Sequence, residues 1–113
     1  MKALLLTALV GLLALLPIAG QAPMPRMTSV EPANGKVGDV LTVAGENLDK
    51  QNVAEIYLTD GKTDWRVAVT EQAATAVKIK IPDNAKQGRF SLMILTVGKE
   101  PKLIEQPVKV TVE

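Results

Sequence analysis

Ala76-Val77-Lys78-Ile79-Lys80-Ile81-Pro82 alternates apolar and charged residues without a break from Val77 to Ile81. Side chains on an extended strand point to opposite faces in turn. Val77, Ile79 and Ile81 therefore share one face, and Lys78 and Lys80 the other. One dry face and one wet face is the pattern of an antiparallel sheet packed on a core. Pro82 ends the run, because proline has no N–H to give to a strand ladder.

Outward from this stretch, the same period of two recurs. Leu41 and Val43 face in from Val40–Gly45, and Ile56 and Leu58 from Val53–Thr59, leaving Glu55 and Tyr57 outside. Trp65, Val67 and Val69 share a face. Phe90, Leu92 and Ile94 point in from Arg89–Val97, and Val108, Val110 and Val112 from the last run. Turn signals separate these runs: Pro32-Ala33-Asn34-Gly35, Gly45-Glu46-Asn47, Asp60-Gly61, Pro82-Asp83-Asn84, Gly98 and Pro107. Short strands at such spacing predict an all-β domain. Two one-faced sheets bury their apolar sides against each other, which gives a β-sandwich of about seven strands. Glu71–Val77 is the best rival for a helical turn.

Composition narrows the function. The chain has 113 residues, 13 basic and 12 acidic, with no Cys and no His. Lys2 falls in the N-terminal leader, so the remainder carries 12 charges of each sign. A neutral domain has no electrostatic footprint for nucleic acid and no polybasic cluster for an anionic membrane. Zinc sites built on thiolate or imidazole are excluded, and no cofactor is expected. With three aromatic residues, Tyr57, Trp65 and Phe90, the core is aliphatic.

Residues 1–22 have the layout of a helical signal peptide: Lys2, an apolar run from Ala3 to Leu16, then Pro17 and small residues ending at Ala22. The protein is therefore expected to be exported, to a periplasm, the medium or the cell surface. Gly20 and Ala22 suit a cleavage site, but Pro23 after the cut disfavours that bond. A cut at Ala22 or one or two residues before it is the expectation, and a leader that stays attached is the alternative. In the second case alone a membrane becomes a partner. Residues 23–26 read as a short linker, and 27–113 as the domain.

The order of the motifs is recognisable. Val30-Glu31-Pro32-Ala33-Asn34-Gly35 resembles the I-x-P-x-x-G opening of the immunoglobulin-like, plexin, transcription-factor family, the IPT/TIG domain. Gly38–Leu48, with its alternating Val and Thr before Gly45-Glu46-Asn47-Leu48, is similar to the family's second strand. Asp60-Gly61 stands where the family carries Gly-Gly. Val77–Pro82 and Gly88–Ile94 resemble the fifth and sixth strands. The resemblance spans Met27 to Val112. It implies an early-set (E-set) immunoglobulin-like sandwich, a module for adhesion, dimerisation or spacing. The family's transcription-factor role does not carry over to a neutral, exported chain. Its role in polysaccharide-active enzymes does not carry over either, since no catalytic domain accompanies it in these 113 residues.

The candidate sites are few. Ser29 and Ser91, the two serines, lack a histidine base and read as structural. The twelve carboxylates fall on turns and wet faces, without the cleft that glycoside hydrolysis needs. No enzyme is expected. Asp60–Asp64 and Glu46–Asp49 are oxygen-rich loops, but too sparse for the six to eight ligands of calcium. Gly45 and Gly61 are read as a bulge or positive-φ turn, and Leu48 as plugging the sandwich end. Trp65 and Tyr57 offer a carbohydrate platform, against which the parity of Trp65 argues for the core. The strand after Gly88 is apolar on both faces. Met93, Leu95 and Val97 point away from the core, and the immunoglobulin-like topology that the resemblance implies makes Val53–Thr59 the neighbouring strand, with Tyr57 near Met93 and Leu95. An apolar outer face of this kind marks a protein interface, unless the segment Gly98–Gln106 folds over it. The expectation is a non-enzymatic module for protein interaction or surface adhesion, self-association included. The alternatives are a carbohydrate-binding accessory and a passive envelope component.

Overall fold

The computed structural model describes residues 23–113. The leader expectation, residues 1–22, lies outside the described residues. Nine strands follow in order: β1 Arg26–Glu31, β2 Asn34–Gly35, β3 Val40–Glu46, β4 Val53–Thr59, β5 Asp64–Arg66, β6 Ala68–Gln72, β7 Ala76–Lys80, β8 Gly88–Thr96 and β9 Leu103–Val112. They form a four-stranded sheet, β1-β3-β7-β6, and a five-stranded sheet, β2-β9-β8-β4-β5. All pairs are antiparallel except β2 with β9. The two sheets make a sandwich with an immunoglobulin-like order, and no helix occurs among the described residues.

Every inward residue named from the period of two sits in the core or against it. Leu41, Val43, Ile56, Leu58, Val77, Ile79, Leu92, Ile94 and Val110 are fully buried, and Val69 packs on the cluster from its rim. Leu48 is fully buried too. Its N–H donates to the carbonyl of Ala74, and Gln72 Nε2 donates to the carbonyl of Leu48 at 2.8 Å. The chain that follows β3 is thus stitched under the β6–β7 turn.

Three sequence readings change. The run through Trp65, Val67 and Val69 is not one strand. It breaks at Val67 as the chain crosses from the five-stranded sheet to the four-stranded one, so its residues stay on the core while their hydrogen-bond partners switch from β4 to β7. That crossing, with the two-residue β2, raises the strand count from about seven to nine. Glu71–Val77 is a hairpin, closed by Ala73 N–H donating to the Ala76 carbonyl. Pro107 stands inside β9, not at a turn. The pairing steps from Ser91↔Lys109 to Met93↔Glu105, so the extra β9 residues form a bulge that absorbs a residue without an N–H.

Gly45 meets one of its two expectations: the β1–β3 register shifts between Met27 and Ser29, so Gly45 sits at a bulge. Its φ is not positive, unlike that of Gly61 at +91°. Its role is close approach: a Cβ placed there would lie 2.1 Å from the Arg26 carbonyl oxygen and 3.0 Å from Met27 Cα.

The β9 bulge turns Gln106 inward, 4% exposed. Its Oε1 accepts from the Met27 N–H at 2.8 Å, joining β1 of one sheet to β9 of the other. Gln106→Leu would leave that buried N–H unpaired. The expected loss is about 1–3 kcal/mol, read from the urea midpoint at unchanged slope.

Candidate functional site: the outer face of the five-stranded sheet

Cross-strand register places the outward residues of this sheet in rows. Arg66, Tyr57, Met93 and Glu105 are successive partners across β5, β4, β8 and β9. Asp64, Thr59, Ser91 and Lys109 form the adjacent row, and Glu55, Leu95 and Leu103 a third. Direct neighbours in such rows have Cβ atoms about 4.5–5.5 Å apart and interact.

Of the four residues expected on a partner face, Tyr57 and Met93 are direct partners and Leu95 follows on the same face of β8, while Val97 lies past the end of β8 beside Pro25, Asn52 and Ile104. Met93 is nearly covered at 9% exposure, Tyr57 and Leu95 are half-buried, and Val97 is open at 49%. Leu103, which sequence reasoning missed, is 54% exposed and is the direct partner of Leu95. It was hidden because Gly98–Gln106 reads as a loop, whereas β9 already begins at Leu103. The segment Gly98–Gln106 therefore does not fold over the face. Its first part is a hairpin turn held by Lys102 N–H on Thr96 Oγ1 at 2.9 Å, and its second part is sheet.

Around the Leu95–Leu103 pair the face is polar and ordered. Glu55 accepts from Tyr57 Oη at 2.8 Å and from Arg66 Nη1 at 2.8 Å. Arg66 first, then Tyr57, holds the Glu55 carboxyl below its ordinary range. The hydrogen bond to Glu55 in turn pushes the Tyr57 phenol up. At the other end, Lys109 donates to the buried Ser91 hydroxyl. Beside it is an open depression of about 450 Å³ lined by Thr59, Asp60, Gly61, Ser91, Glu105 and Lys109.

In the loops considered for calcium, Asp60, Asp49 and Glu46 are engaged within the chain, and Asp64 stands exposed on β5. Asp60 Oδ1 accepts from the N–H groups of Thr63 at 2.7 Å and Lys62 at 2.8 Å, and these lower its pKa. Asp49 Oδ1 accepts from Asn52 Nδ2. Among the described residues, no three acidic side chains gather closely enough to hold a metal ion. Trp65 is no platform: it is 8% exposed, edge-on to Phe90 with ring centroids 5.3 Å apart. Ser91 lies under Lys109, and Ser29 lies on β1, in the other sheet.

An early-set immunoglobulin-like sandwich with one mixed apolar and charged outer face is thus the class of protein defined. The chain matches the IPT/TIG domain family over residues 25–112, and it belongs to that family. No curated protein matches it. Among solved structures it is similar to a Bacteroides thetaiotaomicron protein of unknown function, 19% identical with a TM-score of 0.67, over 80% of this chain and 22% of that one. It is similar to an auxiliary nutrient binding protein of Bacteroides ovatus, 17% identical with a TM-score of 0.56, over 80% of this chain and 21% of that one. A third is SGBP-B of a Bacteroides ovatus mixed-linkage glucan utilization locus, in complex with a mixed-linkage heptasaccharide. It is 20% identical with a TM-score of 0.50, over 72% of this chain and 21% of that one. The chain spans about a fifth of the length of the proteins it matches, and at such identity the likeness is one of fold.

Proposed function

We propose that the chain is an exported, non-enzymatic IPT/TIG module that makes protein contacts at the cell surface or in the envelope. The outer face of the five-stranded sheet is the contact surface. One observation carries this reading. Leu103 is about half-exposed and its direct partner Leu95 partly so, and the two form an apolar pair beside the ion-paired and hydrogen-bonded Glu55, Tyr57 and Arg66. A contiguous exposed patch of this kind costs solvation until a partner covers it. The signal-like leader supports export, and neighbours with nutrient-binding and glucan-locus descriptions fit a place at a bacterial surface.

Those neighbours also favour a second reading, a glycan-binding accessory. The aromatic rings of this chain speak against it. Sugar rings are held by stacking on exposed aromatic faces, while Trp65 and Phe90 are buried and the hydroxyl of Tyr57 is engaged by Glu55.

The test immobilises the wild type and Leu95→Glu, and exposes both to an envelope extract and to mixed-linkage glucan. The wild type is expected to retain a protein, its own kind included, at least tenfold better than Leu95→Glu, and neither is expected to retain glucan. Glucan retained by both, or equal protein retention, overturns the reading. Equal retention leaves a passive envelope component.

A further inference from the structure

We infer that the partner fitted by this face is a second copy of the chain. This rests on the reading of the face as a protein-contact surface, and adds the occupant and the geometry.

The charges on the two complete rows are arranged as a chequer. In the order β5, β4, β8, β9, one row reads Asp64, Thr59, Ser91, Lys109, negative to positive. The next reads Arg66, Tyr57, Met93, Glu105, positive to negative. The four charged ends are exposed and the four central residues are half-buried or buried. Consider a second sheet laid face-down about a twofold axis that runs along the strands between β4 and β8. β5 then lies over β9 of the second copy, and β4 over its β8. Asp64 meets Lys109 of the second copy, and Arg66 meets its Glu105. Tyr57 lies over Met93, a ring–thioether contact that is favourable in itself. Because the operation is isologous, each pair forms twice. Face-to-face sheets whose strands stay near alignment are the ordinary mode of sheet packing.

A twofold axis lying across the strands would also pair opposite charges, Asp64 with Arg66 and Lys109 with Glu105. That arrangement leaves Leu95 and Leu103 in water, since it centres the contact between the two rows. The axis along the strands sets Tyr57 on Met93 and Thr59 on Ser91, apolar on apolar and hydroxyl on hydroxyl, whereas the axis across them sets Tyr57 on Thr59 and Met93 on Ser91. The axis along the strands carries Leu95 to the Glu55 of the second copy and leaves Leu103 at the rim, since β5 has no residue in that row. The match at the middle of the two rows selects the axis along the strands.

The contact is small. Four strands about 4.8 Å apart, about seven residues long at about 3.3 Å each, make a face of about 440 Å² per copy. About 900 Å² in all is below the ~1,200 Å² of standard interfaces, so association is weak and concentration-dependent.

The test is sedimentation equilibrium of the exported protein across concentration, with two charge-reversed variants. Asp64→Lys sets a lysine against Lys109 in its own pair, and Lys109→Asp sets an aspartate against Asp64. Each is expected to weaken association at least tenfold. Mixed in equal amounts they restore both pairs, a lysine facing an aspartate on each side, and wild-type association is expected to return. The axis across the strands predicts no rescue, because in the mixture the introduced lysine still faces Arg66 and the introduced aspartate still faces Glu105. A wild type that stays monomeric, variants that associate like the wild type, or a mixture no better than its components overturns the inference. If the wild type is monomeric but Leu95→Glu still loses protein retention, the contact surface stands and the second copy falls. If neither effect is seen, both fall.

Discussion

Gly45→Val is expected to lose about 3 kcal/mol or more of unfolding free energy, among the larger costs a single substitution produces. β1 crosses Gly45 so closely that any Cβ would sit 2.1 Å from the Arg26 carbonyl oxygen, with Leu48 Cδ1 3.0 Å away. The nearest obstacle is backbone, which cannot rotate out of the way as a side chain can. Either β1 lifts from β3 or the buried Leu48 leaves its socket, and both expose core. Gly61 is the internal control. Its φ of +91° strains any L side chain, but no atom lies near its missing Cβ. Gly61→Ala is therefore expected to cost about 1 kcal/mol. Urea denaturation followed by circular dichroism separates the two. Equal losses would show that conformation, not close approach, selects glycine at position 45.

Trp65→Ala comes next, at about 3–5 kcal/mol. The indole fills the end of the core near the β4–β5 turn, edge-on to Phe90 at 5.3 Å with the rings 81° apart, a geometry that adds attraction to the area buried. Its deletion removes most of the aromatic volume of an otherwise aliphatic core. The same substitution separates two roles. If Trp65 were a sugar platform, its removal would lower glycan retention and leave the denaturation midpoint unchanged. The expected result is the reverse, a midpoint shifted far down. Trp65→Phe, which keeps a ring against Phe90, is expected to recover part of the loss.

Much of the sandwich is legible in the sequence because its strands are one-faced. Where burial alternates, as in Val77-Lys78-Ile79-Lys80-Ile81, parity alone assigns each side chain. Parity fails where the chain changes partners without changing face. Trp65, Val67 and Val69 keep one period of two across a change of sheet, so nothing local marks the break. It fails again at the β9 bulge, which lets Pro107 sit inside a strand and turns Gln106 onto β1; the acceptor that Gln106 supplies to Met27 lies 79 residues away in sequence. The family resemblance supplied the neighbour relation of β4 and β8, and so the meeting of Tyr57 with Met93. The partner of β8 on its other side was obscured by a start of β9 that reads as loop, and Leu103 was lost with it. The charge chequer needs the register of four strands at once, which no single segment encodes.

The parallel pairing of β2 with β9 has a mechanical consequence. β1 and β2 run in the same direction as β9, so the chain enters at Pro25 beside one pole of the sandwich and leaves at Glu113 beside the other, where Glu113 N–H donates to the Gly35 carbonyl at 2.8 Å. Tension applied between the two ends pulls β1–β2 and β9 in opposite directions along their own axes. The bonds that join them, Met27 to Gln106, β2 to β9 and Glu113 to Gly35, lie across the pull and share it. They must shear together and cannot unzip one by one, so the domain resists extension as a short, stiff link between whatever is attached at its two poles.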